Sequence, residues 1–152
     1  MKNMISPGDR FKVVLAVHLV LREGDKILLG RRQNTGWADG KFHLFGGHAE
    51  PNELALKTLR REAEEELGVK IALDSTELKH VRSILSPDHT RLHLYFVISK
   101  WSGEIALKEP ELCSELKWFD INDLPDDITR DSREAIANIE KNNYYSQTDR
   151  DD

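Results

Sequence analysis

Residues 11–21 read FKVVLAVHLVL, an apolar run rich in β-branched side chains, which is the pattern of a buried strand. Glu23-Gly24-Asp25 turns the chain into a second strand over residues 26–31, so a hairpin is expected. The segment QNTGWADG is turn-rich, and residues 41–45 form a short strand that enters the Gly46-Gly47 turn. The spacing then becomes helical. Over residues 52–67, Leu54, Ala55, Thr58, Leu59 and Ala63 line one apolar stripe, while the glutamates face elsewhere. Further strands are predicted at 70–73, 79–85, 91–101 and 116–121, with the turn SPDHT between the second and third of them. Leu124-Pro125 leads to a last helix over 132–141. Strands on both sides of one central helix, with a second helix at the end, predict an α/β fold in which a mixed β-sheet is sandwiched between helices.

At 152 residues and 39% hydrophobic content, the chain fits one domain, residues 1–152. Its core is expected over about 11–140. The polar stretch 142–152 is expected to be a disordered tail. A net charge of −5 argues against a broad nucleic-acid surface, so the expected partner is a small molecule or one that brings its own metal ions. The single cysteine, Cys113, has no internal disulfide partner, and MKNMISPGDRFK lacks an apolar signal core. A cytoplasmic location is therefore the expectation. No apolar run reaches the roughly 20 residues that span a bilayer.

Charge changes the picture most between Gly47 and Val69, GHAEPNELALKTLRREAEEELGV, where Glu62, Glu64, Glu65 and Glu66 crowd together. On a helix, Glu62, Glu65 and Glu66 stand at i, i+3 and i+4, so their carboxylates share one face. They also fall in the last turn before Gly68, where each opposes the helix dipole by about 0.3–1 kcal/mol. A divalent cation reverses that penalty, and carboxylates are hard oxygen ligands suited to Mg²⁺ or Mn²⁺. The bland alternative is a solvated acidic helix.

The segment also carries a spaced pattern, G-x5-E-x7-R-E-A-x-E-E-x-G-V, formed by Gly47, Glu53, Arg61, Glu62, Ala63, Glu65, Glu66, Gly68 and Val69. Chance would produce it at fewer than about one start position in 10^8. It resembles the Nudix box, the signature of hydrolases that cleave nucleoside diphosphates linked to another group. The resemblance covers about residues 11–140 and implies the α/β sandwich described above. It further implies that Glu62, Glu65 and Glu66 hold the metal ions together with the Gly46 carbonyl, and that Glu53 and Arg61 form an orienting ion pair. Read without it, Glu53 is equally a first-turn acid and Arg61 a surface cation.

Members of the MutT branch take a further glutamate eight residues after the tryptophan of a W-x-G-E segment; here WSGEIALKE begins at Trp101 and puts Glu109 there, ahead of Glu111 and Glu115. Arg32 matches a position used on substrate phosphates, with a solvent-facing Arg31-Arg32 pair as the alternative. The loop EPELCSELKWF resembles that of the purine nucleoside triphosphate branch, which makes Phe42, Trp37 and Trp118 candidates for stacking on a base. His48 beside the metal loop is read as a local hydrogen bond or phosphate contact. His18, His43, His80, His89 and His93 are scattered without ligand spacing, so zinc is not indicated. Two departures bear on substrate. Phe45 stands where the box is commonly entered through proline, and Ile128 falls near the place of the asparagine that reads oxidised guanine, which argues against that specificity.

The leading expectation is a Mg²⁺-dependent hydrolase, MutT-like, acting on nucleoside triphosphates or related nucleoside diphosphate derivatives. An ADP-ribose-type diphosphatase is the alternative enzyme; Pro87, eighteen residues past Val69, fits that branch imperfectly. A regulatory domain that binds a nucleotide without cleaving it is the alternative outside the enzymes. The intact glutamates and Arg61 favour catalysis. Physiological substrate, base preference, general base and oligomeric state are not legible in the sequence.

Overall fold

The computed structural model describes residues 8 and 10–149. Most of the N-terminal segment read for a signal core, and residues 150–152, lie outside the described residues. The first strand, β1 (Val14–Glu23), is the centre of the molecule. It pairs in parallel with β7 (Thr90–Ile98) on one side and antiparallel with β4 (Phe45–His48) on the other. Beyond β7 lie β6 (Thr76–Leu85) and β10 (Tyr145–Thr148). The expected hairpin with β2 (Lys26–Arg32) survives only at its tip, where Arg22 faces Ile27 and Glu23 faces Lys26. From there β2 diverges to pair with β3 (Phe42–His43) and β9 (Cys113–Asp120). A separate two-stranded pair joins β5 (Lys70–Ile71) to β8 (Trp101–Ser102).

The two faces of β1 feed two cores. Val17, Leu19 and Leu21 pack under α1 (Ala55–Leu67) with Phe96, Ile98 and Phe45, and Val20 faces the opposite way toward α2 (Arg130–Glu140) with Tyr95, Ile136 and Ile139. A strand that supplies both cores has no polar face to spare, which is why its sequence is apolar almost throughout. The predicted sandwich of helices around a mixed sheet is the fold observed. Among the described residues, no helix is long and apolar enough to cross a membrane.

Three expectations are corrected. α1 begins at Ala55 rather than residue 52, because Asn52 takes a positive φ of 64° and Glu53 turns inward. Leu54, counted in the apolar stripe, is therefore 82% exposed, whereas Thr58, Leu59, Ala63 and Leu67 are buried. Residues 145–148, expected in the disordered tail, form β10 in parallel with β6. Buried His80 pins that strand, with Nδ1 2.6 Å from the Asn143 carbonyl and Nε2 2.8 Å from Ser146 Oγ. The helix end was legible: Gly68 is left-handed, φ 69°, and its N–H bonds the Glu64 carbonyl.

Candidate active site

The turn from β4 into α1 is held by one arginine. Arg61 Nε donates to Glu53 Oε2 at 2.9 Å and its Nη2 to Glu53 Oε1 at 2.9 Å, a two-pronged pair. Nη2 also reaches the His48 carbonyl, 3.1 Å. Thr58 Oγ1 and the Glu50 N–H bond the same glutamate. These contacts, the Arg61 bonds foremost, hold the Glu53 carboxyl down to about 2, and the Glu53 hydrogen bond above all raises Arg61. The expected Glu53–Arg61 pair is thus present, and it ties the loop to the helix.

The other prong, Arg61 Nη1, spans Glu62 Oε1 at 2.9 Å and Glu65 Oε2 at 3.1 Å. Glu62 packs against Gly47 so closely that a Cβ there would lie 2.2 Å from its carboxylate oxygen, so any side chain at that position would displace the Glu62 carboxylate. Glu66 is buried deepest. The Gly46 N–H donates to it, yet its Oε2 is buried with no hydrogen-bond partner among the described residues. Burial, reinforced by Glu62 and Glu109, pushes the Glu66 carboxyl well above its usual range; burial also raises Glu62 against the pull of Arg61.

Glu109 arrives from a distant loop because that loop docks on the end of α1. The N–H groups of Ala106 and Lys108 bond the Leu67 and Glu66 carbonyls, which the helix itself leaves unsatisfied. Glu109 then lines a cavity of about 170 Å³ together with Glu66, Gly46 and Arg32. Desolvation, then Glu111 and Glu65, raises its carboxyl. Among the described residues, no three acidic, histidine or cysteine side chains already stand at coordination spacing. The donor set nonetheless fits a hard divalent cation: four carboxylates in mutual repulsion, all oxygen, one with an orphaned buried atom and two bridged only by an arginine.

Behind this cluster a second cavity, about 590 Å³, opens between the sheet and the start of α2. Arg32 and His43 line both cavities. Arg32 Nε donates to the Trp37 carbonyl at 2.8 Å and its guanidinium lies 4.9 Å from the Trp37 ring centroid. Arg31 does not share this position, being paired with Glu115 and Asp127. His48 lines the larger cavity.

Of the three stacking candidates, only Trp37, half-exposed, lines that cavity. Phe42 is 2% exposed and packs edge-on against Phe119 beneath Arg31. Trp118 stacks on Trp101 at 6.2 Å on the α1 side of the sheet. Phe42 is thus a core residue and Trp118 a half-buried one packed against the core under α1, and neither lines the cavity. Phe45 also belongs to the core, filling space against Gly30, where a Cβ would lie 2.4 Å from its ring.

Three of the five histidines read as scattered are brought together. His18, His43, His48 and His93 all line the larger cavity, brought there by β1, β3, β4 and β7. His18 Nε2 lies 3.0 Å from His93 Nδ1. Burial, then His93, lowers His18 well below its usual value, and burial brings His43 to about 3, so both are neutral near pH 7.

Residues 12–139 match the NUDIX domain family. An NAD-capped RNA hydrolase NudC of Pseudomonas putida is 32% identical over 107 residues, which is 70% of this chain and 36% of that protein. The NudC of Chromobacterium violaceum is 32% identical over 110 residues, covering 72% of this chain and 39% of that protein. The chain therefore spans little more than a third of the length of these relatives. A MutT NUDIX hydrolase from Burkholderia pseudomallei superposes with a TM-score of 0.74 at 25% identity, covering 83% of this chain and 97% of that one. The MutT protein of Methanosarcina mazei Go1 gives 0.73 at 19% identity, over 88% and 96% of the two chains.

Proposed function

We infer from a family premise, that this chain belongs to the NUDIX family, that it is a hydrolase of diphosphate linkages. Its substrates on this reading are nucleoside triphosphates or related nucleoside diphosphate derivatives. The observation that carries the reading is the convergence of Glu62, Glu65, Glu66 and Glu109 at the end of α1, beside a cavity of about 590 Å³. Such crowding of carboxylates at a helix C-terminus is unfavourable for folding alone and favourable for holding Mg²⁺ or Mn²⁺. Bound there, the cation neutralises charge on the phosphates.

The chain's own residues supply the rest. Glu62, Glu65, Glu66 and the Gly46 carbonyl hold the ion. Arg61 and Glu53 keep the helix and the loop in register, so that the ligands do not drift. Arg32, between the two cavities, presents positive charge to the diphosphate, and His48 contributes a polar contact beside it. Glu109 accepts a proton from the attacking water.

Glu109→Ala is expected to lower kcat by about ten- to a thousandfold with KM within a few-fold, since a base acts mainly in the transition state. Steady-state kinetics on Glu109→Ala, Glu111→Ala and Glu115→Ala decide the assignment. Loss of activity in either of the latter two with Glu109→Ala intact moves the base. Full activity in all three moves water activation to the α1 helix, with Glu65 the first candidate.

A second reading, cleavage of a dinucleotide pyrophosphate such as NAD or the end of an NAD-capped RNA, is favoured by the 32% identity to the NudC proteins. One panel tests both readings. Nucleoside triphosphates, ADP-ribose, NADH and NAD-capped RNA are incubated with Mg²⁺, and phosphate, pyrophosphate and nucleoside monophosphate are quantified. No release from any of them sinks the hydrolase reading.

A further inference from the structure

The loop that delivers Glu109 is gripped from a second side. The Leu112 and Cys113 N–H groups both bond the Glu109 carbonyl at 3.0 Å, so the chain turns tightly through residues 109–113 as it enters β9. The next three carbonyls of that turn all find donors on two consecutive residues at the exit of β2. Gln33 Nε2 donates to the Pro110 carbonyl at 2.6 Å, Asn34 Nδ2 to the Glu111 carbonyl at 3.0 Å, and the Gln33 N–H to the Leu112 carbonyl at 3.0 Å. Asn34 takes a positive φ of 54°, a conformation that asparagine adopts more readily than most residues.

Carbonyls in a surface turn are ordinarily served by water, and such a turn is free to rock. Rocking has a cost here because Glu109 is the joint between two anchors. On its N-terminal side Ala106 and Lys108 bond the end of α1, and on its C-terminal side Gln33 and Asn34 hold the turn. Gln33 also directly follows Arg32, which lines the cavity of about 170 Å³ with Glu109, Glu66 and Gly46. One short stretch of backbone thus carries the Arg32 guanidinium and fixes the turn that presents the Glu109 carboxylate. Groups that act together on a reacting centre must hold their places to within about 0.5 Å.

We propose that Gln33 is a positioning residue, whose side-chain amide, aided by Asn34, holds the Glu109 carboxylate in place opposite Glu66 and Arg32. Its consequence for turnover rests on the hydrolase reading above, which it deepens by naming what keeps the base in register.

Two substitutions separate the donor from the bulk of the side chain: Gln33→Met keeps the length and removes the donor, and Gln33→Lys keeps a donor at similar reach. With Mg²⁺ and a substrate that wild type turns over, Gln33→Met is expected to lower kcat about tenfold with KM within about twofold, and Gln33→Lys to recover most of that loss. In a Glu109→Ala background Gln33→Met is expected to change kcat by less than about twofold, because a residue that acts through Glu109 then has nothing to position. A kcat for Gln33→Met equal to wild type, an equal loss in Gln33→Lys, or the full further loss in the Glu109→Ala background each overturn the positioning role. Amide hydrogen exchange in excess chelator reads the clamp without turnover. The Leu112 and Cys113 N–H groups are expected to exchange at least about fivefold faster in Gln33→Met, with α1 unchanged and the melting temperature within about 3 °C of wild type. Unchanged exchange, or an equal acceleration in α1, overturns the clamp. Faster exchange confined to the turn, in a protein that turns over no substrate of the panel, would sink the hydrolase reading alone and leave the clamp on Glu109 standing.

Discussion

Glu66→Gln is expected to reduce kcat by at least about a hundredfold, the scale for losing a group that stabilises transition-state charge, while the metal-free protein becomes more stable. The two effects share one cause. Glu66 is a buried carboxylate with an orphaned oxygen, crowded by Glu62 and Glu109, and its pKa is raised well above 4.5. A carboxyl whose folded-state pKa is raised contributes its stability below the unfolded value and loses it as pH climbs through the folded value. Metal-free wild type should therefore melt at progressively lower temperature as pH rises from about 4.5, with Glu62 and Glu109 adding to the slope. Glu53, held down to about 2, adds nothing to that slope, since its contribution is complete above its unfolded value and fades only in strong acid. Melting curves from pH 5 to 8 in chelator check this. A Glu66→Gln protein that melts below wild type at pH 8 would show that the carboxylate serves the fold.

Excess chelator is expected to take turnover to background, and Mg²⁺ or Mn²⁺ to restore it. The same ions should raise the melting temperature. Saturation at a hundred times the dissociation constant contributes about 2.7 kcal/mol, which for a chain of this size is on the order of 5–10 °C. Because binding displaces protons from Glu66 and its neighbours, the shift should be larger at pH 8 than at pH 6, with proton release detectable by calorimetry in buffers of different ionisation enthalpy. A melting temperature that ignores the cation at both pH values rules out a metal site at the helix end. Turnover undiminished in chelator rules out the metal mechanism directly.

The acidic helix was legible because its information is local: Glu62, Glu65 and Glu66 share a face by helical spacing alone, and Gly68 marks the end through its backbone freedom. Other features depended on pairings that periodicity does not carry. Whether Phe42 or Trp118 reaches a ligand is decided by which side of the sheet each strand presents, and neither lines the cavity. Trp37, which lines the cavity, is held there by an arginine five residues earlier. His18 and His93 meet because β1 and β7 run side by side, 75 residues apart in sequence. The polar segment YSQT reads as tail, yet buried His80 captures it as an edge strand.

The parallel pairing of β1 with β7 also governs how the protein is made. Every residue in that ladder finds its partner about 77 positions later, and loops of that length must close before the contacts return anything. During synthesis the acidic helix emerges well before β7, so its apolar side, Leu59, Ala63 and Leu67, has only part of its core to dock on. Completion of the sheet is therefore expected to be the slow step. Variants that weaken the β1–β7 ladder should accumulate as aggregates at the ribosome long before they lose activity as purified protein.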